Sequence, residues 1–305
     1  MKKFQDKKTG IIGASDLKTA KGKIVYWSMI FILIIVSITA VVPSLWALFS
    51  GFKETKEIYS GMSFFPKDIS WGIITSKITQ AAKYMHFGKT AFNTLLMSIG
   101  SVIAAITVSG LGGYVISRLK PRGSRLVFML VVWTMMMPGQ IRTVPLFISF
   151  LSFPFVANLL GEVSLINTYW PMWLGAAANC FNVILFKNHF DSISDSLVEA
   201  AKIDGCGNGR IFTNIMLPLS GPIIVYVIIM TMKVAWSDFF MGYLVFSDES
   251  IMTLPVQIFR LKADASVEMN IYLLCLVLST LPMLVLFSLF SRQIVGGVNV
   301  GGVKG

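Results

Sequence analysis

The sequence predicts an all-α membrane protein with six transmembrane helices, and three observations predict it. Only 13% of the 305 residues are charged and 55% are apolar, where a soluble domain carries about 25% charged residues. Six apolar segments recur, at about 25–49, 92–117, 126–150, 169–186, 219–246 and 271–291. Each is long enough, or nearly so, to cross roughly 30 Å of hydrocarbon as a helix. The lysines and arginines gather in alternate connections between those segments. A net charge of +11 could serve nucleic acid or anionic lipid. No basic-aromatic patch accompanies it, so the charge is assigned to topology and no nucleic-acid partner is expected.

The first element is a basic tail, residues 1–24, with seven lysines. It is expected to be flexible and to face lipid headgroups in the cytoplasm. The apolar run from Val25 to Phe49 lacks an A-x-A cleavage site and, at 25 residues, is too long for the core of a signal peptide. It reads as a retained span. Trp71 and Tyr84 suit an interfacial helix in the connection that follows. Residues 25–84 therefore form the first span and an extracytoplasmic elbow, 85–291 hold the other five spans, and 292–305 are a Gly-rich cytoplasmic tail.

The basic residues set the orientation. The N-terminal tail, the 118–125 connection, the 187–218 connection and the C-terminal tail hold sixteen Lys and Arg, against eight in the alternate connections. Both termini are thus expected in the cytoplasm of a bacterial plasma membrane. Six lysines in 50–91 work against this. The Lys83–Lys89 part of them reads as an amphipathic lead-in to the second span.

Cys180, Cys206 and Cys275 lack C-x-x-C spacing, and His86 and His189 stand alone in connections. Neither a metal site nor a catalytic cluster is expected, and the thiols should be free. A G-x-x-x-x-G-K-[ST] loop is missing as well; Gly22-Lys23-Ile24 has neither the spacing nor the hydroxyl. ATP, if used, must be bound by another subunit.

The most telling stretch lies between the fourth and fifth segments. Seven charged residues fall between Lys187 and Arg210, so this stretch cannot lie in hydrocarbon. It is a surface loop, 187–218, with its own secondary structure. Glu199-Ala200-Ala201-Lys202-Ile203-Asp204-Gly205 is followed by Ile215-Met216-Leu217-Pro218. Glu and Ala favour helix, and Gly205 is the natural place to break it. The expected order is a helix around 196–203, a turn at Gly205 and a short helix to about Thr213. Pro218 is expected near the start of the next helix, where its missing N–H costs least.

This E-A-A-x-x-x-G-x(9)-I-x-L-P pattern resembles the EAA loop of ABC importer permeases. Other stretches are similar to the sugar-importing branch: Met137-Pro138-Gly139-Gln140 with Pro145-Leu146-Phe147, Leu165 to Trp170, Trp236-Ser237-Asp238-Phe239, Thr253-Leu254-Pro255, and the terminal Gly-Gly-Val-Lys-Gly. Ser237 departs from the usual Asn. The resemblance covers roughly 85–305. It implies the type I ABC importer permease fold and no enzymatic activity in this chain. It also implies a second permease, an ATPase dimer and an extracytoplasmic binding protein that delivers a di- or oligosaccharide.

In that setting the loop residues Asp195, Glu199, Ala200, Ala201, Asp204, Gly205, Ile215, Leu217 and Pro218 would couple to the ATPase. Glu199, with Asp195 one turn earlier, would pair with a basic residue there. The tail residues Gly301, Gly302 and Lys304, in an extended segment from Gly296 onward, would reach the ATPase interface.

Arg142, Lys233 and Asp238 are ionisable groups inside expected spans, where such groups are costly. Pro138 and Pro145 should kink the helix around Arg142. Two readings stand side by side. With Gln140, Asn179 and Trp236 these residues line a sugar pathway, or they are structural ion pairs. A charged cargo such as glycerol phosphate, or another polyol derivative, is the alternative substrate. A stand-alone secondary transporter is the rival class; it would predict inverted repeats and midplane ion sites on broken helices. The sequence shows no convincing repeat, and an ion-coupled carrier gives no reason for the EAA-like loop.

Overall fold

The structure is a computed structural model and describes residues 19–61, 63–152 and 163–297, with side chains for all of these except Gln140 and 291–297. Among the described residues it is helical throughout, without strands.

Helix α1 (Ala20–Gly51) begins before the apolar run, because Thr19 accepts a hydrogen bond from the Gly22 N–H at 3.0 Å and caps it. Residues 20–24, expected in the tail, thus extend the first span. The elbow contains α2 (Thr55–Ser60) and the expected interfacial helix α3 (Trp71–Tyr84), capped by Ser70. The second span, α4 (Phe87–Tyr114), closes in a π-turn at Val115–Leu119.

The third apolar segment is not one straight helix. It forms α5 (Ser124–Met136) and α6 (Gly139–Leu151), and the chain turns through 112° between them. Pro138 ends the helix rather than merely kinking it, since the residue before proline is driven out of the helical region; Met137 is extended.

The fourth segment is also divided, into α7 (Trp170–Ala177) and α8 (Cys180–Ser192). The loop contains α9 (Asp195–Ile203) and α10 (Asn208–Leu219), the latter with a π-turn at Phe212–Met216. The fifth span is α11 (Gly221–Ser237), set at 80° to α10. It stops at Asp238 instead of running to 246, and a short α12 (Phe240–Val245) follows. Beyond it come α13 (Leu254–Ala263) and the sixth span, α14 (Met269–Gly297). Residues 292–297 therefore continue the helix, where an extended tail was expected from Gly296. The long apolar helix before them extends into the glycines at its end. Residues 298–305, with Gly301, Gly302 and Lys304, lie outside the described residues.

Three of these helices are apolar and long enough to cross a membrane alone: Ala20–Gly51, Phe87–Leu119 and Met269–Phe290. The bent pairs account for two more segments. Helix α4 is the hub, packed against α7, α8 and α11. Its buried side is small and polar: Thr94, Ser98 and Ser101 donate to carbonyls one turn back at 2.6, 2.6 and 3.0 Å. Such hydroxyls satisfy themselves locally and let backbones approach. At Gly113 a Cβ would come within 2.8 Å of the Lys187 backbone nitrogen.

The connections sort into two ends. At one, Arg118 and Ser117 touch the 187–219 loop. At the other, the elbow meets the 246–270 region: Asn270 donates to the Lys53 carbonyl at 2.8 Å, and Asn93 to Ser250 and Met252. Lys53 itself is buried beneath this elbow and donates to the Ser63 carbonyl.

Candidate functional site: a docking loop and an internal cavity

The first residues of the loop, 187–192, belong to the end of α8. Helix α9 has a narrow inward stripe. Val198 and Ala201 are buried, while Leu197, Glu199, Ala200 and Lys202 face outward. Ala201 is small because it packs on this chain's own core with Phe190, Ile211 and Met216. Ala200 is the alanine left exposed. Ile203 is 85% exposed.

The turn after α9 is a Schellman closure. Cys206 N–H bonds to Ala201 O at 2.9 Å and Gly205 N–H to Lys202 O at 3.0 Å. Gly205 has φ +79°, and no atom lies within 4 Å of where a Cβ would sit. Its requirement is conformational, not steric. Asp204 is the exposed cap residue. Half-buried Cys206 packs back on the core, as do Ile215 and Leu217 further on.

Pro218 is placed differently from expectation. It lies at the end of α10, directly after the π-turn, and α11 begins only at Gly221. The widened turn relieves the clash between the proline ring and the preceding helical carbonyl.

Asp195 is bonded within this chain. It pairs with Arg118, whose guanidinium also donates to the Phe190 and Ile193 carbonyls. Glu199, one turn on, has an exposed side chain. Beside this clamp, Ser117 donates to Asp191 at 2.6 Å and Lys187 pairs with it at 2.7 Å. Burial pushes the Asp191 carboxyl up, but the hydrogen bonds from Lys187 and Ser117 outweigh it and hold the group below the ordinary carboxylate value. Tyr114, on α4, contacts both halves of the loop region, Phe190 at 6.2 Å and Phe212 at 5.3 Å between ring centroids.

A cavity of about 410 Å³ opens between α4, α6, α7, α8 and α11. Its polar lining includes Ser101, Asn179, Asn182, Thr231 and Asp238, and the Phe181–Tyr226 ring pair forms part of its wall. Of the expected pathway residues, Asn179 and Asp238 reach it. Asn179 caps α8, accepting from Asn182 N–H at 3.1 Å, and Asp238 accepts from Met241 N–H at 3.3 Å. Trp236 is turned away. It is buried and donates its indole N–H to Ser279 O on α14 at 3.2 Å, because an indole N–H in an apolar bundle needs an acceptor. Arg142 and Lys233 are exposed on α6 and α11, outside the cavity lining. The side chain of Gln140 lies outside the described residues. Asn182, Thr231 and Tyr226 were not singled out from sequence, since nothing in their spacing distinguishes them from ordinary span residues.

A bundle of apolar helices, holding a cavity with a few polar groups in a largely apolar wall and presenting a helix–turn–helix loop at one end, defines a membrane-spanning transport subunit. The chain belongs to the family of binding-protein-dependent transport system inner membrane components, whose model matches residues 105–299. It is 27% identical over 289 residues to the probable ABC transporter permease protein YurM of Bacillus subtilis (strain 168), covering 93% of this chain and 89% of that protein. It is 28% identical over 293 residues to the arabinooligosaccharides transport system permease protein AraQ of Halalkalibacterium halodurans, covering 95% of this chain and all of that protein (100%). Among solved structures, a bacterial ABC transporter involved in the import of the acidic polysaccharide alginate aligns with a TM-score of 0.73 at 20% identity, over 90% of this chain and 98% of that one. The type I ABC importer permease fold expected from sequence is the fold observed.

Proposed function

We propose that this chain carries a di- or oligosaccharide across a bacterial plasma membrane as one half of a permease pair. An ATPase dimer docks on α9 and α10, an extracytoplasmic binding protein delivers the sugar to the elbow end, and both termini are cytoplasmic. The carrying observation is the division of α9. Val198 and Ala201 tie it to the bundle, while Leu197, Ala200 and Ile203 leave an apolar strip exposed beside Glu199. An exposed aliphatic strip next to a carboxylate suits a cleft with an apolar floor and a basic rim. Asp204, Gly205, Ile215, Leu217 and Pro218 hold the shape of that surface. The tail with Gly301, Gly302 and Lys304 reaches the same partner.

The cargo reading rests on two supports. Relatives named for arabinooligosaccharides, starch degradation products and diacetylchitobiose align with 95%, 90% and 88% of this chain. Among the described residues the cavity offers amides, hydroxyls, an aromatic pair and one carboxylate, Asp238, without a lysine or arginine. That set favours a neutral sugar over glycerol phosphate.

The test is a Glu199→Lys, Gly205→Val double variant assayed for uptake of labelled neutral oligosaccharides. A β-branched residue at Gly205's φ costs about 1–2 kcal/mol of local strain. The variant is expected to insert and pair normally yet lose at least about tenfold in uptake, since the charge-assisted contact is reversed. Import at the wild-type rate would show that the loop is not the transmission interface.

A further inference from the structure

We propose that Arg118 is a positioning residue that ties the coupling helix α9 to the inner end of the second span, so that force on the loop reaches α4 directly. The proposal rests on the coupling role given to α9 above.

Arg118 stands on the π-turn that closes α4. Its guanidinium is a planar fork of donors. One nitrogen donates to the carbonyls of Phe190 and Ile193, at the C-terminal end of α8. The other donates to Asp195, the first residue of α9. A single rigid group therefore spans the break between α8 and α9. The electrostatics agree at both ends. The cation meets the negative end of the α8 dipole, and Asp195 sits at the positive end of α9.

The burial is asymmetric. The Arg118 side chain is 9% exposed and that of Asp195 81%. The anchor is thus on the α4 side and the outer, loaded element is α9. The neighbouring ties do not duplicate it: the Ser117–Asp191 and Lys187–Asp191 contacts end on α8. Glu199, one turn along α9, faces outward. Two carboxylates on one helix therefore have separate partners, Asp195 within the subunit and Glu199 at the docking surface. Lysine would not replace Arg118, because a point charge on a flexible stem cannot reach two carbonyls and a carboxylate in one plane.

The experiment uses the complex purified from host membranes through a tag on this chain and placed in nanodiscs. Amide hydrogen exchange is followed without nucleotide and with MgATP plus vanadate. In Arg118→Lys, exchange over 195–203 is expected to rise about tenfold, and in Asp195→Asn about threefold, as a local opening. Exchange over 254–263, at the opposite end, should not change. The nucleotide-dependent change in exchange over 109–119 should fall by about half or more in both variants, because the link from loop to α4 is weakened.

Unchanged exchange over 195–203 overturns the proposal. So does faster exchange that extends equally to 254–263, which would make Arg118 a general stabiliser. Retention of the full nucleotide response at 109–119 overturns the link to α4. If Arg118→Lys does not assemble, Asp195→Asn carries the same readouts, since its side chain is largely exposed. A Glu199→Lys variant run in parallel separates the two claims. If it keeps the ATPase bound and uptake intact, the docking surface is elsewhere. If it fails while the Arg118 variants behave as wild type, only the clamp is wrong.

Discussion

The first and second spans, α1 and α4, are both apolar enough to cross a bilayer, yet this chain treats them oppositely. In the most apolar stretch of α1 none of the residues is buried within the chain, against 33% in α4. Helix α1 turns a surface of Ile, Leu, Val and Trp outward. Helix α4 buries Thr94, Ser98, Ser101, Ser109 and Gly113. In water the large aliphatic residues would be inside. In lipid, burial of hydrocarbon gains little, and close approach of small residues decides which face is interior. The comparison teaches that small and hydroxyl residues, not hydrophobicity, mark the packed helix here.

The sharpest way to break that comparison is to change one residue on each helix. At Gly113 a Cβ would meet Phe186 Cβ at 2.7 Å and the Lys187 backbone nitrogen at 2.8 Å. Backbone cannot step aside cheaply, so Gly113→Val should destabilise the chain by about 3 kcal/mol, at the upper end for overpacking. Ile34→Ala on α1, at a side chain 50% exposed, should change the chain's own stability by less than about 0.5 kcal/mol. Unfolding of the purified chain in mixed micelles measures both. Equal losses would mean that α1 is packed as tightly as α4.

A smaller effect is expected at the elbow end of α4. The Asn93 amide donates to Ser250 O and Met252 O, both at 2.9 Å, and Thr94 Oγ1 accepts from Leu254 N–H at 2.8 Å. Asn93→Leu leaves two carbonyls without that donor and should cost about 1–3 kcal/mol. Faster amide exchange confined to 246–254 would localise the loss to this connection. Exchange that stays at the wild-type rate would mean that Thr94 alone holds the loop on α4.

What the sequence revealed followed the same division. Helix α9 and the turn at Gly205 were legible almost to the residue, because Glu-Ala-Ala, a single glycine and the nearby charges all act locally, but α10 runs to Leu219 where an end near Thr213 was expected. The break at Pro138 was legible as a bend, though not its size. Arg118 was legible only as one of four basic residues in a connection. Its carbonyl and carboxylate partners lie 72 to 77 residues away, and no local pattern announces such a meeting. Trp236 looked like a cavity aromatic from its motif, but its N–H found an acceptor on α14. Pro218 misled because a π-turn, which sequence does not signal, absorbs the proline inside α10. The polar groups of the cavity, Asn182 and Thr231, looked like any other span residue until α4, α8 and α11 were brought together.

The smallest effect concerns the end of α4 that meets the 187–218 loop, where small-residue packing gives way to charge. Asp191 accepts from Ser117 and pairs with Lys187, and its carboxyl is held below the ordinary value of 3.8. A group whose folded pKa is depressed contributes stability that is fully present above its unfolded value. That contribution is lost as the pH falls through the folded one. The side chain is 39% exposed, so solvent screening keeps the pair within the range of about 0.2–1 kcal/mol typical of exposed ion pairs. Asp191→Asn should therefore lower stability slightly and by the same amount at pH 8 and pH 6. The difference from wild type should shrink only below pH 3.8. Thermal unfolding of both proteins across that range is the measurement. A penalty that changed between pH 8 and pH 6 would show that the Asp191 contacts are not the fixed clamp that the lowered carboxyl implies.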